Sequence, residues 1–73
     1  MQVPGKYVVK MFNHVHTLIH RLEDARRCDD VDKLAIIAEE VMNEAIKFKA
    51  DADAARRLAR HDAILNRGSH LRG

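Results

Sequence analysis

The stretch LEDARRCDDVDKL, residues 22–34, divides the chain into two helices. Upstream of it, apolar residues recur at Tyr7/Val8, Met11/Phe12, Val15, Leu18/Ile19, Leu22 and Ala25. Steps of three and four keep side chains on one helical face, whereas a strand would alternate. The stripe predicts helix A over about residues 5–27. Pro4 suits its start, where a missing N–H costs nothing. Cys28-Asp29-Asp30 breaks the pattern. Asp30 reads as an N-cap, a short carboxylate able to accept from the free N–H groups of the next turn. Asp32 follows in that turn, where the helix dipole favours negative charge.

Helix B is expected over about residues 31–66. Leu34, Ile37/Ala38, Val41, Ala45, Phe48, Ala52, Ala55 and Ala59 form a heptad-like seam. Ile36, Met42, Ile46, Ile64 and Leu65 flank it. No glycine or proline interrupts the segment, and Asn66-Arg67-Gly68 is expected to end it, with Gly68 left-handed. Residues 1–67 then form one all-α helical-hairpin domain and residues 68–73 a flexible tail. A kink near residues 49–53 is the alternative, and it would give a three-helix bundle.

The chain has 73 residues, 47% of them hydrophobic and 33% charged, a globular rather than a disordered composition. One proline and three glycines exclude a turn-rich β-sandwich, and the length excludes a second domain. Cys28 is the sole cysteine, so no intrachain disulfide can form, which argues against a secreted disulfide scaffold. The longest apolar run, residues 34–38, is far short of the ~20 residues of a membrane span. No apolar leader opens the sequence. A cytoplasmic, reducing environment is expected, with no contact with membrane.

A lone hairpin has one interface and no enclosed core. Helix B carries more apolar surface than one neighbour covers, so two hairpins are expected to dimerise into a four-helix bundle. The residues expected to close it are Val15, Leu18, Ile19, Leu22, Leu34, Ile37, Val41 and Phe48. With the turn near residue 29, residue i of helix A faces roughly residue 58 − i of helix B. Residues 54–66 then overhang, with Ala54, Ala55, Leu58, Ile64 and Leu65 needing cover from a second subunit, a target protein or Met1–Val3.

Charge is partitioned. Residues 1–22 carry three bases and no acid; residues 23–44 carry eight acids and three bases; residues 45–73 carry seven bases and three acids. A hairpin is therefore acidic at its turn and basic at its open end. Arg56, Arg57, Arg60 and Arg67, with Lys49, could meet phosphates. No aromatic residue interleaves to stack bases, and no amide within the cluster reads base edges, so any nucleic-acid contact would follow backbone and shape.

His14, His16 and His20 cluster on helix A. His16 and His20 stand at i, i+4 and Glu23 three further on, a spacing that could grip zinc, although nothing completes a Cys/His motif. Surface or interface histidines are the commoner outcome, and no cofactor is expected. Glu39, Glu40 and Glu44 read E-E-x-x-x-E. The all-α nucleotide pyrophosphohydrolases of the MazG type hold magnesium with E-E-x-x-E and a downstream E-x-x-D, which this chain lacks, so these glutamates read as a solvated face. With no Gly-rich phosphate loop and no supported nucleophile, the chain is not expected to be an enzyme. The expected function is a small regulatory or adaptor protein, of the kind phages and mobile elements use to modulate host proteins. It would bind its partner through Arg56, Arg57, Leu58, Arg60, His61, Ile64 and Leu65. A nucleic-acid-binding homodimer is the alternative.

Overall fold

A computed structural model describes the backbone of residues 2–72 and the side chains of residues 2–65. Two helices pack as an antiparallel hairpin: α1, Gly5–Arg27, and α2, Val31–Arg72. Pro4 precedes α1 in an extended conformation, and the Tyr7 N–H donates to its carbonyl at 2.9 Å. Cys28 leaves the helix with extended backbone while its N–H still reaches the Ala25 carbonyl at 3.2 Å. The Asp30 carboxylate then accepts from the N–H groups of Asp32 at 2.9 Å and Lys33 at 3.4 Å. Its own carbonyl accepts the first turn's bond from Leu34 at 2.9 Å. The turn is thus closed by the cap that its sequence implies.

α2 continues past the end expected at residue 66, through Asn66–Gly68 to Arg72. Gly68 is helical, and no glycine among the described residues has positive φ. One glycine inside a helix costs only about 1 kcal/mol relative to alanine, which does not stop a helix without a proline or a cap behind it. The kink near residues 49–53 does not occur: α2 runs unbroken through Lys49–Asp53, a segment rich in helix-forming alanine. The three-helix alternative falls with it. The molecule measures 63 × 14 × 14 Å, which is the length of α2 itself at about 1.5 Å per residue.

The inter-helix seam is thin. Tyr7, Met11, His14, Leu18 and Ala25 of α1 are half-buried against Ile37, Val41, Phe48, Ala52 and Ala59 of α2. Only Ala55, 6% exposed, is fully buried among the described residues. Ala38 and Ala45, assigned to the seam by spacing, are exposed. They lie toward one flank of α2, beyond the reach of α1. The overhang begins later than expected, because Gln2, Val3 and Pro4 reach along α2 to Ala55, Ala59 and Ala63. Met1, the third expected cover, lies outside the described residues.

Candidate interaction surface

His14 is the polar residue of the seam. It sits on the inward stripe of α1, between Met11 and Leu18 in the helical repeat. Its Nδ1 donates to the Glu44 carboxylate at 2.5 Å and its Nε2 to the Asp51 carboxylate at 2.7 Å. Glu44 and Asp51 are seven residues apart, two turns along one strip of α2. The ring also stacks on Phe48, with centroids 5.8 Å apart. A neutral imidazole has one N–H, so two simultaneous donations require the imidazolium. The Asp51 and then the Glu44 carboxylates raise the His14 pKa above its ordinary 6.5, while desolvation opposes them.

A second bridge lies on the same flank, from Arg21 Nε to Glu40 at 3.1 Å. His14 and Arg21 are seven residues apart on α1, so both cross-helix bridges share one side of the hairpin. The opposite flank of α1 carries Val8, Phe12, Val15, Ile19 and Leu22, in steps of four and three. All five are exposed, Phe12 to 67%. The flank of α2 beside it carries Leu34, Ala38, Met42 and Ala45, also exposed. One side of the hairpin is therefore held by ion pairs, and the other is a strip of unpartnered apolar side chains.

The structure divides the residues expected to close a bundle into two sets. Leu18, Ile37, Val41 and Phe48 lie between α1 and α2, whereas Val15, Ile19, Leu22 and Leu34 face solvent on the apolar side. The residues expected to meet a partner sit on the far half of α2. Leu58 is half-buried. Arg56, Arg57, Arg60 and His61 are exposed, with Ile64 at 69% and Leu65 at 55% beyond them. Asp53 pairs with Lys49 at 2.8 Å, which holds its carboxyl below the usual range, with smaller help from Arg57 and Arg56. Among the described residues, Arg56, Arg57 and Arg60 enter no ion pair, and the Arg67 side chain lies outside them.

His16 and His20 are brought together, Nε2 to Nε2 at 3.2 Å, with Phe12 stacked beneath His16. Glu23 does not join them, because its carboxylate pairs with Arg27 at 3.3 Å. No group of three or more His, Cys, Asp or Glu converges on a metal position among the described residues. Cys28 is a free thiol at the turn, its Sγ 3.3 Å from the Asp30 carbonyl.

Spacing points to His16 and His20, whereas the residue that joins the helices is His14. The signal was available: a histidine on an inward stripe, which the turn-centred register already set opposite Glu44. No helix among the described residues is long and apolar enough to cross a membrane. No family model, no curated protein and no solved structure matches the chain.

Proposed function

We propose that this chain is a non-enzymatic regulatory or adaptor protein that acts by protein–protein binding. Two hairpins close into a four-helix bundle through their apolar sides. The end of α2 beyond Ala63 projects from the bundle, and another protein is engaged there and on the surface leading to it, through Arg56, Arg57, Leu58, Arg60, His61, Ile64 and Leu65.

The observation that carries this reading is the surface the hairpin leaves uncovered. It exposes 6162 Å² at a mass of 8.3 kDa. A compact folded chain of that mass exposes about 4,600 Å². The excess is about 1,600 Å² per chain, part of it on the projecting end of α2 and the rest along the hairpin. Two copies that each removed about 1,000 Å² of it would bury about 2,000 Å², at the lower edge of the range of obligate homodimers. Burying an apolar side chain of this size stabilises by about 1.5–3 kcal/mol, and the thin seam of one hairpin supplies few of them.

Light scattering across a dilution series gives the mass, and a folded monomer at every concentration would overturn the bundle. For the projecting end, Leu58, His61 and Leu65 are replaced by serine together. Retention of every partner captured by the wild-type chain would overturn the assignment of that surface.

Exposed, unpaired arginines favour a second reading, in which this end meets nucleic-acid phosphates. Such a complex weakens steeply with added salt. Affinity that is flat with salt, or no binding at low salt, rules it out.

A further inference from the structure

We infer that the apolar side of the hairpin is the docking face for a second copy of this chain, and that the two copies lie head to tail, turn against open end. The inference rests on the dimer proposed above and adds its face and its direction.

The face follows from the two bridges. His14–Glu44/Asp51 and Arg21–Glu40 occupy one side and present charged groups there. Covering that side would strip water from ion pairs, a desolvation cost that their attraction often fails to offset. The opposite side presents Val8, Phe12, Val15, Ile19 and Leu22 from α1, with Leu34 and Met42 from α2. Such a contiguous apolar side is what marks an interaction face on a small protein. The alanines beside Leu34, Ala38 and Ala45, are small enough for the helices of a second hairpin to approach closely.

The direction follows from charge. The turn end carries exposed Asp24, Asp29, Asp30 and Asp32 against exposed Arg26 and Lys33, with Arg27 paired to Glu23, and so stays net acidic. The open end carries exposed Lys6, Lys10, Arg56 and Arg57 against exposed Asp62, with Asp53 paired to Lys49, and so stays net basic; the Lys6 and Lys10 ammonium groups are both 5.5 Å from the Tyr7 ring. Copies aligned turn to turn would stack acid on acid at one end and base on base at the other. Copies reversed about a two-fold axis near Val15 set each acidic turn beside the other's basic end. Complementary ends of this kind fix orientation even where their net contribution to affinity is modest.

Cys28, at the turn, reports the arrangement without any substitution. A spin label on this single thiol gives one inter-copy distance, measured on the full chain at a concentration where light scattering shows the dimer. Thirteen residues separate Cys28 from Val15, so the head-to-tail pair places the two labels about 40 Å apart. A turn-to-turn pair places them under about 20 Å apart, since neighbouring helices pack at 8–10 Å. The long distance is the expected result, together with failure of mild oxidation to join two chains through Cys28. A short distance or a ready Cys28–Cys28 disulfide would overturn the direction and leave the dimer standing. Absence of any coupling between labels, with monomeric mass, would overturn both. Phe12→Ser tests the face: it should shift the dimer to monomer at least tenfold in dissociation constant while helicity is kept. An unchanged constant would move the face elsewhere.

Discussion

His14 Nε2 lies 2.7 Å from the Asp51 carboxylate, joining the first helix to the second across thirty-seven positions of the chain. With Glu44 on the other ring nitrogen, this single imidazolium ties two turns of α2 to one position of α1.

Stability should therefore depend on pH with the sign of a cation formed on folding. The His14 pKa is raised in the folded chain relative to about 6.5 when unfolded. Its contribution is full below pH 6.5 and is lost as pH rises through the folded value. Melting temperature should fall between pH 6 and pH 9, and His14→Ala should flatten that slope. Because the substitution also leaves two carboxylates facing each other, it should cost about 1–3 kcal/mol at pH 6. Thermal melts of both chains across this range decide the matter; parallel slopes would refute the role of His14.

Asp30→Ala removes the acceptor for the Asp32 and Lys33 N–H groups. The expected cost is about 1 kcal/mol, read from urea unfolding, and Asp30→Asn should recover most of it. The effect should be local: amide exchange should quicken over residues 32–34 ahead of the rest of α2.

Ala55 is the one fully buried side chain among the described residues, and it lines a cavity of about 210 Å³ with Val3, Pro4, Met11 and Ala59. Ala55→Leu should reach into that space and stabilise by about 0.5–1 kcal/mol in urea unfolding, the usual gain from filling a cavity; a loss would mean that the space closes in solution. Ala50→Leu, on the exposed surface of the same helix, should be within about 0.5 kcal/mol of neutral and serves as the comparison.

Ile19→Ser should behave unlike an ordinary surface change. In a lone hairpin its cost would be within about 0.5 kcal/mol. In the paired form it removes a contact from each copy, so the melting temperature should fall and should become steeper in its dependence on protein concentration. A melting temperature that ignores concentration in both chains would count against the interface.

Much of the architecture was legible in the spacing of apolar residues. α1 starts at Gly5 and ends at Arg27, and α2 starts at Val31, because stripe, proline and Asp30 cap all mark those points. The far end of α2 was not legible. Gly68 is a weak stop, and local propensity does not say whether a helix ends at a glycine or runs through it. The division of the apolar residues was hidden for another reason. Leu18 and Ile19 are neighbours in sequence but 100° apart on the helix, and only the true inter-helix register decides which meets α2. Nor does spacing show that Glu23 closes on Arg27 and leaves His16 and His20 to each other.

The unequal length of the helices governs how many partners one assembly can reach. α1 stops short of the end of α2, so each hairpin keeps a free arm on one end only. Reversing the second copy sends the two arms in opposite directions, with the paired region between them. The head-to-tail pair proposed above would be bivalent but could not close both arms on one compact target. It would gain no avidity from a monomeric partner, and would gain it from partners that are themselves repeated along a filament, a lattice or a membrane-bound array. Copies aligned the same way would instead form a two-pronged clamp.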